Sequence, residues 1–471
     1  MWQVVGGIVL VLGGSVAVVA GYLKWLIVQL RNKKANLRLV KKPAKRAIAG
    51  VDERPQEFAC KGGDMTRRCS TDTVATRDLT EPTWIFNADR VADSTTVLDE
   101  EGNIYCSTMC GLLFSLTKDG ELRWTAEVRG MTPPCPVIHQ GALFTSCTKG
   151  YAYSLDLNRG SVLWEHKVTT GGGGDAWAWT AAGDLVFMSI NDDIENQSGL
   201  YDPSHLVALR GSTGEEVWRF DIHANSYNVE PAVNGNSLFL LDGDASLYRI
   251  EVSTGKLVWS VPGYRWDRKG EKNIARCLNG TAVYFDGLLL SGGNPSLKGG
   301  CARAHSAEDG REVWRVDFDM HVGNASAVAE IKGVPTMVLG VGYTAPVGKL
   351  LKQGPPPYTG FLCALNARTG EQLWRFESPH VMPRTYTAPG TQLIACKPKI
   401  NMCDSFNQPA IGGDGTVYVG FHSGHIYALD GSSGELYSSY ETGEGMQASF
   451  SISKAGDLVI HAGEFVYCWR R

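Results

Sequence analysis

The stretch CALNARTGEQLW, residues 363–374, decides the fold. It combines an apolar strand, a polar turn containing Thr369 and Gly370, and a second strand that ends on Trp374. Alternation gives each strand one face for a neighbouring sheet, and the glycine supplies the positive φ that a tight turn needs. The pattern recurs every 40 to 63 residues, and its copies end at Trp84, Trp124, Trp164, Trp218, Trp259, Trp314, Trp374 and Tyr437.

The number of copies predicts a closed ring of eight blades. One blade cannot bury both of its faces, so repeats of this size stack around an axis, with a large aromatic side chain between neighbouring blades. The last pair of apolar strands, at 458–460 and 465–469, has no closing strand after it, whereas the strand at Trp84 has no pair before it. The sequence therefore predicts an all-β, eight-bladed β-propeller over residues 81–471, closed by the N-terminal strand so that no sheet edge is left open.

The repeat is similar to that of a known family. The pattern A-L-[DN]-x-x-x-G-x-x-x-[WY], clearest at 364–374 and, one residue shorter, at 428–437, resembles the tryptophan-docking repeat of quinoprotein alcohol dehydrogenases. Their non-enzymatic relatives, including the propeller lipoprotein of bacterial outer-membrane assembly, share it. The resemblance implies a propeller of the pyrroloquinoline-quinone-like (PQQ-like) type, and it says little about activity.

The same resemblance implies which features an enzyme of this family would have. Its dehydrogenases bind PQQ on the propeller axis with calcium, use an aspartate base, and typically carry a disulfide between adjacent cysteines. This chain has no Cys-Cys pair, and a Glu/Asn/Asp set for calcium cannot be identified in it. We therefore expect no catalytic residue, no metal and no cofactor, with a PQQ-dependent dehydrogenase as an alternative.

The first 23 residues predict a transmembrane helix. They carry no charge, and as a helix they extend about 34 Å, enough for a hydrocarbon core of ~30 Å. Trp2 stands at one end and Tyr22 and Trp25 at the other, as is typical of the membrane interface. A cleaved signal peptide is the alternative, but the segment has no basic residue before its apolar run. Residues 24–80 are assigned to a basic tether and linker.

The charge distribution predicts an orientation. Residues 1–46 contain nine Lys and Arg and no acidic residue, which leaves 36 basic against 49 acidic residues, or −13, for the remainder. By the positive-inside rule the propeller lies on a cytosol-like side: cytoplasm, stroma or matrix. An acidic propeller also disfavours general binding to nucleic acid, whose phosphates require cations.

Small residues along the apolar segment predict a docking face for a partner helix. They recur at spacings that place them on one side of a helix, where close approach between helices in lipid becomes feasible. The alternative is that glycine is simply common in membrane helices. The docking residues are Gly6, Gly7, Gly13, Gly14, Ala17, Ala20 and Gly21.

Long insertions predict one elaborated face of the propeller. They fall at 169–178, 191–205, 263–280, 342–360 and 378–408, all in connections that share a single face because strand directions alternate. Candidates for binding a ligand or partner at the channel mouth on this face are Asp175, Trp177, Trp179, His223, Arg265, Trp266, Arg268, His321, His380, Arg384 and Gln447.

The twelve cysteines leave the compartment open. Pairs such as Cys60 with Cys69 and Cys396 with Cys403 are compatible with disulfides in an oxidising compartment, and core or surface thiols are the alternative. Taken together, the sequence predicts a membrane-anchored, non-catalytic scaffold or accessory subunit of a membrane protein complex. Other subunits would bind through the transmembrane helix and the looped face. A ligand-binding or sensing propeller is a further alternative.

Overall fold

The computed structural model describes residues 58–471 except for 91–94, 109, 131–134, 171–178, 192–203, 225–229, 264–280, 296–298, 323, 343–359, 379–405, 422–423, 445 and 447. The predicted helix over residues 1–23 and its docking residues lie outside the described part. Within the described part, no helix has both the length and the apolar character needed to cross a membrane.

The described residues form strands arranged in eight four-stranded antiparallel sheets, the blades. The first strand along the chain is β1 (Trp84–Asn87), which belongs to the last blade. Blade 1 contains β2 (Val97–Leu98), β3 (Ile104–Ser107), β4 (Leu112–Leu116) and β5 (Leu122–Glu127), and blade 2 contains β6 (Val137–His139), β7 (Ala142–Cys147), β8 (Tyr151–Asp156) and β9 (Val162–Lys167). Blade 3 contains β10 (Trp179–Ala182), β11 (Leu185–Asn191), β12 (Ser204–Arg210) and β13 (Glu216–Ile222). Blade 4 contains β14 (Ala232–Asn234), β15 (Ser237–Leu241), β16 (Leu247–Glu251) and β17 (Leu257–Val261).

The second half of the chain repeats this order. Blade 5 contains β18 (Val283–Phe285), β19 (Leu288–Gly293), β20 (Gly300–Ser306) and β21 (Glu312–Phe318), and blade 6 contains β22 (Ala327–Ile331), β23 (Val334–Gly342), β24 (Gly360–Asn366) and β25 (Gln372–Glu377). Blade 7 contains β26 (Ala410–Ile411), β27 (Thr416–Gly420), β28 (His425–Asp430) and β29 (Leu436–Glu441). Blade 8 contains β30 (Ser451–Ile452), β31 (Leu458–Ala462) and β32 (Phe465–Trp469) together with β1.

The prediction of an eight-bladed, all-β propeller closed by the N-terminal strand is confirmed. Strand β1 pairs with β32 in antiparallel register, from Trp84 opposite Cys468 to Asn87 opposite Phe465. The ring is therefore joined by hydrogen bonds between the two ends of the described chain. Closure in this way removes the open edge that β32 would otherwise present.

The position of a strand within its blade determines how much of it is buried. The first strands of adjacent blades adjoin one another around the axis, and the second strands are almost wholly buried, as in β11. Outer strands alternate, and in β9 only Trp164 is buried. The core therefore lies between the sheets, where the inner three strands of neighbouring blades pack together.

Candidate functional site

Seven tryptophans join consecutive blades in the same way. Each indole Nε1–H donates a hydrogen bond of 2.7 to 3.1 Å to a backbone carbonyl of the next blade. Each indole also lies over a glycine with positive φ, where a Cβ would come within 3.0 Å of an indole carbon. The tryptophan–glycine pairs are Trp84–Gly120, Trp124–Gly160, Trp164–Gly214, Trp218–Gly255, Trp259–Gly310, Trp314–Gly370 and Trp374–Gly434.

The joint between blades 7 and 8 differs from these seven. The bulge in β29 skips Tyr437, just as the bulge in β25 skips Leu373. Ser438 therefore lies opposite Ala428, at the position that Trp374 occupies opposite Ala364. The Ser438 hydroxyl donates to the carbonyl of Arg77 and accepts from the amide of Leu79. Tyr437 is exposed, and its hydroxyl donates to Asp430 at 2.6 Å.

The N-terminal segment completes this joint. The Arg77 guanidinium lies over the Tyr437 ring at 4.6 Å and pairs with Asp414 at 2.8 Å. The indole of Trp469 donates to the carbonyl of Leu79 at 3.2 Å. The chain before β1 therefore supplies the contacts that a tryptophan–glycine pair supplies elsewhere.

The centre of the propeller is filled by the chain itself. We call residues 58–73 the axial segment. Six of its carbonyls accept hydrogen bonds of 2.6 to 3.0 Å from six first-strand amides, each in a different blade. The pairs, carbonyl first, are Phe58–Leu98, Ala59–Ile138, Met65–Val233, Thr66–Tyr284, Arg68–Val328 and Cys69–Ile411.

The two remaining blades are contacted by side chains. Arg67, only 1% exposed, donates from its guanidinium to the carbonyls of Trp179 in blade 3, Pro231 and Lys61, at 2.5, 3.0 and 2.5 Å. The Cys69 thiol lies 3.6 Å from the hydroxyl of Ser449, two residues before β30 of blade 8. The axial segment thus contacts all eight blades.

Charge inside the axis is balanced locally. Lys61 pairs with Glu230 at 3.2 Å, and the Glu230 side chain is 7% exposed. The hydroxyl of Thr281, in the neighbouring blade, donates to the other carboxylate oxygen at 3.0 Å. These contacts hold an ion pair at the start of two first strands, where an unpaired buried charge would be costly.

Two cysteines of the axial segment are free thiols. Burial raises the pKa of Cys60 to about 12 and that of Cys69 to about 12, so both are protonated at neutral pH. A protonated, buried thiol is a poor nucleophile and a poor metal ligand. Within the part of the chain that the structure describes, no three His, Cys, Asp or Glu side chains are grouped to hold a metal ion. Cys396 and Cys403 lie outside that part.

Three of the predicted channel-mouth residues are described. Trp179 is buried, and its indole donates to Ser146 at 3.0 Å, so it packs within the propeller. His223 is exposed at the end of blade 3, and its backbone amide donates to Tyr248. His321 is half-buried, and its carbonyl accepts from Gly342. Outside the described residues lie Asp175, Trp177, Arg265, Trp266, Arg268, His380, Arg384 and Gln447.

The axial segment lies within residues 24–80, which the sequence predicts to be only a tether and linker, and that prediction is incomplete here. The segment has neither strand alternation nor the repeat motif, because it binds one blade after another through its backbone carbonyls. Its only local signals are the pair Gly62 and Gly63 and the apolar start at Phe58.

Comparisons with known proteins agree with this architecture. Residues 73–190, 149–286 and 265–469 match the family profile described as "Outer membrane protein assembly factor BamB", which therefore extends over most of the chain. A polyvinylalcohol dehydrogenase from Sphingopyxis sp. is 26% identical over 178 residues, which are 34% of this chain. That match spans 26% of the dehydrogenase's own length.

Two solved structures superpose on most of the chain. The crystal structure of BamB from Moraxella catarrhalis has a TM-score of 0.60 and 14% identity, covering 83% of this chain and 100% of the other. Quinohemoprotein alcohol dehydrogenase from Comamonas testosteroni has a TM-score of 0.65 and 13% identity, covering 89% and 81%. At these identities the likeness shows the fold alone.

Proposed function

Because the chain belongs to the family described as outer membrane protein assembly factor BamB, we propose that it is a non-catalytic, membrane-anchored propeller that serves as a scaffold or accessory subunit of a membrane protein complex. The observation that carries this proposal is the axial segment. The centre of the propeller is occupied by the chain's own backbone, so the surface left for binding is the outside of the ring.

The axial segment occupies the place on the propeller axis where a cofactor would bind. In the quinoprotein dehydrogenases that the repeat resembles, PQQ lies on the propeller axis with calcium. In this chain the six first-strand amides around the axis already donate to the carbonyls of residues 58–69. A planar cofactor would have to displace that backbone together with the buried Arg67 guanidinium. The residues present therefore do not fit PQQ on the axis.

A PQQ-dependent dehydrogenase is the second candidate function. It is favoured by the partial similarity to a protein named polyvinylalcohol dehydrogenase. It predicts that added PQQ displaces the axial segment, whereas the scaffold function predicts that the segment stays in place.

The proposed anchoring in the membrane is supported by the uncharged residues 1–23. The small residues from Gly6 to Gly21 would meet a partner helix, and the long insertions would meet other subunits on one face. The basic residues that follow the apolar segment support a propeller on a cytosol-like side.

Purification of the full chain in mild detergent tests the function. We expect other membrane proteins to co-purify in fixed ratio, and we expect no alcohol-dependent dye reduction after addition of PQQ and calcium. Substituting Gly14→Leu with Gly21→Leu should leave the chain in the membrane but release its partners, because bulk prevents close helix approach.

The matched control replaces Val11 and Val18 with leucine, since these residues lie off the small-residue face. It should retain the partners. Alcohol-dependent dye reduction with stoichiometric PQQ would establish the dehydrogenase in place of the scaffold. Equal retention of partners by both double variants would remove the helix from the proposed interface.

A further inference from the structure

The inner wall of the propeller is built to receive a peptide backbone. Each first strand is bonded to its second strand on one side only, so amides on its other side point toward the axis without a partner in the sheet. Six such amides, from six different blades, meet carbonyls of the axial segment. Buried amides require partners, and no single element of the ring could supply them all.

From this arrangement we propose that the axial channel is a peptide-binding site and that residues 58–73 are its resident ligand. The segment is held by its contacts with the blades, independently of the covalent connection to β1. This inference does not rest on the proposed scaffold function, because it concerns a site inside the ring.

The backbone of the segment adopts a conformation that a free chain disfavours. Phe58, Arg67 and Cys69 have φ of 55°, 68° and 51°. Residues other than glycine rarely adopt such positive φ values. Such conformations persist where the surroundings impose them. The only glycines among residues 58–73, Gly62 and Gly63, also have positive φ, of 85° and 82°. The path of the segment is therefore set by its bonds to the blades together with its own turns, such as that closed by the Cys69 amide on the Gly62 carbonyl at 2.7 Å.

Arg67 is the anchor of this ligand. Its guanidinium is buried and donates to carbonyls on two blades and to one within the segment. The next residue provides a contrast, because the Arg68 side chain is 43% exposed and bonds only to Asp64 and Thr66 among the described contacts. The side chains of two adjacent arginines in the same segment thus differ in whether they donate to the ring.

Cutting the folded chain tests the proposal. A protease recognition sequence is placed between Thr80 and Glu81, both exposed, and the purified full chain is cleaved in mild detergent. We expect residues 1–80 to stay with residues 81–471 in size-exclusion chromatography. The amides of Leu98, Ile138, Val233, Tyr284, Val328 and Ile411 should remain protected from hydrogen exchange.

The arginine variants separate binding in the axis from other contacts. After cleavage, Arg67→Met should release the fragment about tenfold faster or more, since hydrogen bonds to a buried charged group are lost. Arg68→Met, the matched control, should release it as slowly as the parent protein does. Arg67→Lys, which retains the charge but donates fewer bonds, gives a second variant with intermediate release should the methionine variant not fold.

Two results would overturn the proposal. One is loss of residues 1–80 from the cleaved parent protein while residues 81–471 keep their circular dichroism and stay monomeric. The other is release of the fragment at equal rates from the Arg67 and Arg68 variants. In either case the six amides would not be a peptide site, and connectivity alone would hold the segment.

Discussion

His461 makes the folded propeller sensitive to acid. It lies in β31 at 1% exposure, with its ring edge-on to Phe114 of blade 1 at 5.9 Å. Burial lowers its pKa to about 3, whereas an unfolded histidine has a pKa of about 6.5. The neutral ring therefore contributes stability that is fully present above pH 6.5 and is lost as pH falls from 6.5 toward 3.

Replacement of His461 by Phe tests this. The variant keeps an aromatic ring against Phe114 but has no proton to bind. Between pH 6.5 and 5 the parent protein should lose roughly 2 kcal/mol more unfolding free energy than the variant, at about 1.4 kcal/mol per pH unit. Urea unfolding at several pH values gives the slopes. His305, whose pKa burial lowers to about 4, is common to both proteins and cancels. Identical slopes would contradict the prediction.

The joints between blades depend on a glycine under each indole. Comparing one such glycine with a glycine outside the joints separates the cost of the indole contact from the cost of backbone strain. Gly434 and Gly141 have nearly equal φ of 77° and 75°. A Cβ on Gly434 would lie 2.7 Å from the Trp374 ring, whereas a Cβ on Gly141 would meet nothing within 4 Å. Any alanine at such φ is strained by about 1–2 kcal/mol. At Gly434 the clash adds a further 1–3 kcal/mol or so, because the packed joint must open.

We therefore expect Gly434→Ala to lower the free energy of unfolding by about 2–5 kcal/mol and Gly141→Ala by about 1–2 kcal/mol. Denaturant titration of both variants beside the parent protein measures the difference. Equal losses would mean that backbone strain, and not the tryptophan contact, requires glycine at these turns.

The ring as a whole depends on residues 58–90, which supply both the axial segment and β1. Without them the edge of β32 is open, six amides at the axis lose their partners, and Trp84 no longer covers Gly120. Open edges promote aggregation, and unpaired buried amides destabilise the fold. A chain of residues 91–471 should therefore aggregate and lose cooperative thermal unfolding.

The matched control is a chain of residues 58–471, which retains both elements and should remain monomeric with a single transition. Size-exclusion chromatography and a thermal scan distinguish the two chains. A 91–471 chain as soluble and as cooperative as the control would show that neither the closing strand nor the axial segment is needed for the ring.

The repeats by themselves determine the blades and their number. Each copy combines alternating strands, a glycine turn and an aromatic residue. The contacts of these residues lie within one blade or reach the next blade along the chain. The unmatched strand at Trp84 also indicates closure, because the last blade lacks its outer strand and the strand at Trp84 is an outer strand without a blade of its own. The structure confirms it through the register of Trp84 with Cys468.

Only the tertiary structure decided what occupies the axis and the last joint. The sequence counts Tyr437 with the tryptophans, but Tyr437 lies three residues after Gly434, whereas Trp374 lies four residues after Gly370. The register gives the fourth position to Ser438, whose partners in the joint, Arg77 and Leu79, are distant along the chain. The axial segment is bound through its carbonyls, which every residue has, to amides as distant along the chain as Ile411. Backbone groups carry no sequence signature, so contacts made by them across such separations become visible only once the ring has closed.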